Sequence, residues 1–286
     1  MFTPDQYRLL DFGGGRRLER FGLWRLDRPC PAAEHIASSD PDAWRQADAR
    51  FERGEGDEGQ WSLERDLPEQ WTIARGPITF ELRRTPAGHL GVFPEQAANW
   101  DWIIEQLRAG GGPLKMLNLF AYTGGSTLAA AAAGAEVVHV DAAGNIVAWA
   151  RRNAELSGLA DRPIRWIAED ALKFVKRELR RGNRYDAVVL DPPSYGHGPR
   201  GEVWRLSKDL PRLLKLCGQL TAGHRRFMLL TCHTSGFDPA RLKRIMADAL
   251  GPTDRGMVTA ERLTIRSASG RALPSGVVAR WQANVY

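Results

Sequence analysis

The chain of 286 residues is 43% hydrophobic, enough for one large domain, or a domain with a small appendage, around a real core. Forty basic residues against 34 acidic ones give a formal charge of +6, and only six of the forty are Lys. This composition excludes a disulfide framework and a zinc cluster, because Cys30, Cys217 and Cys232 form no C-x-x-C pair, and it excludes a helical membrane span, because no apolar run approaches ~18 residues.

The Arg excess has two readings. Arg grips phosphate bidentately, which fits nucleic acid as a partner, and a genome rich in Arg codons gives the same excess. The N-terminal MFTPDQYRLLDFGGG lacks the charged-then-apolar pattern of a secretory leader, so a cytoplasmic protein with no membrane partner is expected. Nothing in the sequence assigns an oligomeric state.

Residues 1–90 form a small β-rich region, with strands expected at Tyr7–Phe12 and Arg17–Leu26, a short helix at Ala43–Arg53 and an exposed loop at Glu52–Gly59. Ile78–Arg84, the turn Pro86-Ala87-Gly88 and His89–Phe93 read as a hairpin. Glu95–Leu107 then reads as a helix, and residues 91–286 as the main domain. From Leu114 the alternation is regular. Strands are expected at Leu114–Phe120, Glu136–Asp141, Ile164–Ala168, Tyr185–Leu190 and Arg226–Cys232, with helices between them and a long helix at Glu202–Leu220. Val258–Ile265 and Val277–Trp281 form a closing pair. The implied fold is α/β, a doubly wound, mostly parallel sheet of seven strands with an antiparallel edge.

The first strand of this domain runs into a turn, in LNLFAYTGG (Leu117–Gly125). Gly124 and Gly125 allow a tight turn close to a ligand, and Ser126 or Thr123 can cap the helix that follows. Asp141 ends the second strand, where a carboxylate accepts both hydroxyls of a ribose. A dinucleotide would need G-x-G-x-x-G for its pyrophosphate, and this turn lacks the third glycine. S-adenosylmethionine has no phosphate and needs none. Asp170, after the third strand, either accepts from an adenine amino group or caps a helix. Asp191-Pro192-Pro193-Ser194 closes the fourth strand, and two prolines hold the Asp191 carboxylate and the flanking carbonyls rigid for a base amino group. Tyr195 can stack on a flipped base; an ordinary rigid loop is the plainer reading.

The run LNLFAYTGG, VDAAGNIVAWARRNAELSG, IAEDALKF and LDPPSYG resembles the class I S-adenosylmethionine-dependent methyltransferases, and among them the family of the cytosine-5 methyltransferases of large-subunit ribosomal RNA. The likeness extends to His89–Gln96 upstream and to Leu-Pro-Ser-Gly-Val near the C-terminus, and so covers about residues 75–286. It implies that Phe120, Tyr122, Thr123 and Gly124 hold the methionine part, Asp141 the ribose and Asp170 the adenine, with Asp191 at the methyl and Gln96 reaching the cofactor from upstream. It also implies that the fourth and fifth strands are neighbours, which sets Asp191 and Pro192 beside Cys232. A thiolate there can add to carbon 6 of cytosine and activate carbon 5; a small buried core residue is the other reading of Cys232. If the thiol is structural, direct transfer to a base amino group needs only Asp191, Pro192 and the Ser194–Tyr195 region. The chain departs from the family in two places. Ser194 stands where Lys or Arg is common, and Thr231-Cys232-His233 stands where the family has Ser-Cys-Ser. The first 75 residues do not obviously match the RNA-binding PUA module of members with a known RNA target. Rival functions are a methyltransferase of protein or small molecules and, in another class, a binding module without turnover. The intact Asp191-Pro192-Pro193 argues against the last.

Overall fold

The computed structural model describes residues 1–54, 56, 58–110, 112–198, 201–251 and 256–283, and of His197 the backbone alone. The loop expected at Glu52–Gly59 lies partly outside the described residues, as Glu55 and Asp57 do. The chain divides into two compact units, residues 1–98 with 264–275, and residues 99–263 with 276–286.

In the first unit β1 (Tyr7–Gly13), β2 (Arg16–Phe21) and β3 (Trp24–Pro29) form an antiparallel meander. Arg17–Leu26, expected as one strand, is broken because Gly22 takes a left-handed φ of 64° between β2 and β3. The helix expected over Ala43–Arg53 is a single turn, α1 (Pro41–Trp44), capped by Asp40. Its second half is instead β4 (Ala49–Arg53), since Ala49 and Phe51 alternate inward, and β4 pairs with β5 (Gly59–Leu63). The five strands lie in sequence order. β6 (Gln70–Arg75) and β7 (Ile78–Arg83) form a separate hairpin. His89–Phe93 therefore is not the partner strand of Ile78–Arg84, though Arg83 N donates to Leu90 O and Thr85 N to His89 O.

The carboxylate of Asp11 organises one end of this unit. It accepts from Ser39, the Asp40 amide, the Trp44 indole and the Arg271 guanidinium. Burial works against its charge, but these donors win and bring its pKa down to about 2. A second buried network joins the Tyr7 hydroxyl and the Arg28 guanidinium to Glu19.

The second unit holds the α/β sheet. A helical turn (Pro94–Gln96) leads into α2 (Ala97–Ala109). Then follow β8 (Lys115–Leu119), α3 (Gly125–Ala132), β9 (Glu136–Asp141), α4 (Gly144–Leu156), β10 (Ile164–Ala168), α5 (Ala171–Arg180) and β11 (Ala187–Leu190). The Pro/Gly loop after β11 contains a small hairpin, β12 (Tyr195–His197) and β13 (Val203–Arg205), so the long helix expected from Glu202 starts later, as α6 (Leu206–Leu220). β14 (Phe227–Cys232), α7 (Pro239–Leu250), β15 (Gly256–Arg266) and β16 (Ala272–Ala283) complete the chain. The sheet has seven strands in the order β10-β9-β8-β11-β14-β16-β15. The first five are parallel and β16 runs antiparallel to β14. β8, β9, β11 and β14 are buried at nearly every position, mostly by apolar side chains, because both faces of the sheet are covered. The order steps outward from β8 on both sides, which leaves a crevice at the C-terminal ends of β8, β9 and β11.

Candidate active site

The turn after β8 is built from unusual backbone. Phe120 has φ 54°, Tyr122 φ 49° and Gly124 φ 92°. A non-glycine residue in that region costs on the order of 1–3 kcal/mol and persists only where its surroundings hold it. Here they do. Ala121 N donates to Val140 O (3.0 Å), Tyr122 N donates to the Asp141 carboxylate (2.9 Å), and Asn153 Nδ2 donates to Thr123 O (3.0 Å). The Phe120 ring rests on Trp204, with centroids 4.9 Å apart. Neither Ser126 nor Thr123 caps α3. Gly124 takes the cap position, with no side-chain cap bond, so the first amides of α3 are left for a ligand. A Cβ at Gly125 would lie 2.4 Å from the Trp100 indole, so this position admits only glycine.

A buried chain of hydrogen bonds lies under the turn. Asn118 Nδ2 donates to Thr127 Oγ1 (2.9 Å), and Thr127 Oγ1 bonds His139 Nδ1 (2.9 Å). Burial holds the His139 ring neutral down to about pH 3. The unfolded chain takes up this proton near pH 6.5, so this contribution to stability is complete above 6.5 and is lost as pH falls toward 3. His89 in the first unit acts in the same sense, lowered to about 4 by burial and by Arg28, Arg17 and Arg53. Denaturant unfolding is expected to show at least about 2 kcal/mol less stability at pH 5 than at pH 7.5, with a smaller fall in His139→Gln. An equal fall in both proteins counts against the assignment.

Three carboxylates border the crevice. Asp141 ends β9, and its two oxygens accept from Ala143 N (3.0 Å) and Tyr122 N (2.9 Å). Burial nonetheless raises its carboxyl above the usual range. Asp170 caps α5 by accepting from Lys173 N (2.8 Å), so the capping reading holds for one of its oxygens. The same residue lines a cleft of about 360 Å³ with Trp166, Lys173, Arg177 and Glu202. Asp191 follows β11, and its carboxylate is held by the Thr231 hydroxyl and by His233 Nε2 at 3.3 Å. Pro192 is buried and Pro193 exposed. The Pro193 carbonyl accepts from Trp204 Nε1 (2.8 Å), which braces the loop. Thr231, His233 and Trp204 thus fix the Asp191 loop. The sequence had marked Thr231 and His233 only as a departure from the family's Ser-Cys-Ser, and Trp204 not at all.

Gln96 lies in the first unit, in the turn Pro94–Gln96, and is 7% exposed. Cys232 does lie beside Asp191 at the sheet edge, as β11 and β14 are neighbours. Its thiol, however, is in the core cluster and the residue is 1% exposed. Burial pushes the thiol up, against a smaller lowering by hydrogen bonds from Thr234. The residue packs as a core side chain. Cys30 and Cys217 are buried as well, and burial drives the Cys217 thiol to about 12.

The donor set suits one kind of ligand. Carboxylates follow β9, β10 and β11, on either side of β8, and the turn 117–126 lacks the third glycine of a pyrophosphate-binding turn. A cationic sulfonium nucleoside fits that set, and a dinucleotide does not. Sheet order, turn and acids together define a class I S-adenosylmethionine-dependent methyltransferase. A family model described as S-adenosylmethionine-dependent methyltransferase matches residues 47–241, more than half of the chain. The chain belongs to this family.

A crystal structure of a SAM-dependent methyltransferase from Agrobacterium tumefaciens is 38% identical, with a TM-score of 0.93 over 98% of this chain and 91% of that one. A Streptococcus mutans structure, 17% identical, has a TM-score of 0.76 over 98% and 75% of the two chains and shows the fold alone. Among curated relatives, ribosomal RNA large subunit methyltransferase I of Aeromonas hydrophila is 32% identical over 166 residues, 57% of this chain. That match spans 41% of the relative's length.

Proposed function

We propose that this methyltransferase acts on a base in RNA. The reading is carried by the Asp191 carboxylate, held by Thr231 and His233 at the end of β11, in a loop that Trp204 braces through Pro193. A carboxylate beside a fixed carbonyl accepts from a base amino group, and Tyr195 four residues on offers a stacking face. The names of curated relatives support the polymer, since several are ribosomal RNA large subunit methyltransferases. In this reading S-adenosylmethionine supplies an electrophilic methyl group. The turn Phe120–Gly124 and the amides of α3 hold its methionine end, Asp141 the ribose and Asp170 the adenine. Asp191 orients the target base.

The buried thiol favours direct transfer to a base nitrogen over addition by Cys232 to cytosine carbon 6. Cys232→Ala is therefore expected to keep the methylation rate of the folded enzyme within about threefold of wild type, since direct transfer requires no protein nucleophile. A loss beyond about a hundredfold, with the label at carbon 5 in the wild type, restores the thiol route. The polymer itself is tested by incubation with methyl-labelled S-adenosylmethionine and unmodified cellular RNA or protein. Mass spectrometry is expected to find the label on a nucleoside; label confined to peptides or small molecules overturns the RNA reading.

A further inference from the structure

We propose that the β12–β13 hairpin and one stripe of α6 form a track for single-stranded RNA that leads to Asp191. This rests on the RNA reading and names where the strand lies. β12 starts four residues after Asp191, and its register opposes Tyr195 to Arg205. Cross-strand partners share a face, so the aromatic ring and the guanidinium stand together. Gly196 and Trp204 occupy the opposite face, where Trp204 is buried on Phe120. Tyr195 is 52% exposed and Val203, on the outer face, 48%.

The stripe continues directly from β13. Lys208, Arg212 and Lys215 are exposed on α6, spaced by four and three residues. At 100° per residue they fall within about 60° of one another, and span about 10 Å along the axis. Asp209 is the only acid on this helix, and its carboxylate is engaged by the Arg205 amide at 2.8 Å. Arg205, Lys208, Arg212 and Lys215 form no ion pair among the described residues. The contrast with α5, the other basic helix, decides between the two. There Lys173 meets Glu202, Arg177 meets Glu169 and Arg181 meets Glu178. Three of the five cations on α5 and at its C-cap are answered from within the protein, and among the described residues none of those on α6 is. An exposed aromatic followed by a line of unneutralised cations matches the two needs of a single strand, a stacking platform and phosphate contacts.

The test is binding of a fluorescein-labelled 15-mer oligouridylate, read by anisotropy across salt concentrations. The combined variant Lys208→Gln, Arg212→Gln, Lys215→Gln is compared with Lys176→Gln, Arg180→Gln, Arg181→Gln on α5, which removes the same charge. The α6 variant is expected to bind at least about tenfold more weakly. Its salt slope should fall by about 2, at ~0.7 per phosphate contact on a single strand. The α5 variant is expected to stay within about threefold, and both to bind S-adenosylmethionine as the wild type does. Tyr195→Ala should weaken binding and Tyr195→Phe restore it. Equal losses in the two triple variants, or none in the α6 variant, overturn the track. If the wild type labels RNA while the α6 variant binds and methylates normally, the track alone falls. If the wild type labels protein, the RNA reading falls with it.

Discussion

Asp141→Ala is expected to abolish measurable binding of S-adenosylmethionine, with a loss of about a hundredfold or more in calorimetry. A hydrogen bond to a charged group contributes about 1.5–3 kcal/mol, and a ribose diol makes two. The residue has a second task. Its Oδ2 accepts from Tyr122 N, so the Ala variant also releases one anchor of a turn with two left-handed non-glycine residues. The site sits on a sheet whose core is elsewhere, so the variant should remain folded by circular dichroism. Asp141→Asn, which keeps one acceptor oxygen, should fall between the two. Unchanged affinity in the Ala variant sinks the ribose assignment.

Asp191→Ala should leave the cofactor bound within about tenfold and reduce kcat by about a hundredfold to a thousandfold, the usual effect of deleting one preorganised polar contact at a reacting centre. The loss should appear in kcat more than in KM, because the carboxylate acts on the base at the point of transfer. Thr231 and His233 keep that carboxylate in place, so the deletion removes an oriented group and not a mobile one. An unchanged kcat with a raised KM would reduce Asp191 to a binding residue.

The sequence made the second unit legible and the first one poorly so. β8, β9, β11 and β14 are buried on both faces and mostly apolar in their centres, so the strand count followed from alternation with helices, while the adjacency of β11 and β14 came from the family resemblance. The first unit is built from short, Arg-rich strands. The break at Gly22 and the switch from α1 to β4 depend on pairing with distant segments, which local periodicity does not encode. The same holds within the site. Asp141, Asp170 and Asp191 announce themselves by ending strands. The hold of Trp204 on the Pro193 carbonyl comes from 11 residues away, and that of Thr231 on Asp191 from 40. Cys232 was placed rightly beside Asp191, but only the packing shows that its sulfur is covered.

The first unit is discontinuous, and this affects how the chain is made. Arg271 reaches Asp11, the Phe12 carbonyl and the Ala37 carbonyl, and Ala268 N donates to Leu9 O. These groups complete a unit whose other residues end at 98, and residues 99–263 are synthesised in between. At ~5–20 residues per second a ribosome takes on the order of 10–30 s over that interval. During that time Asp11 lacks its Arg, and the edge of β1 lacks the segment that covers it. The amino-terminal part of this enzyme therefore emerges first but waits for residues 264–275, made just before the strand that completes the second unit.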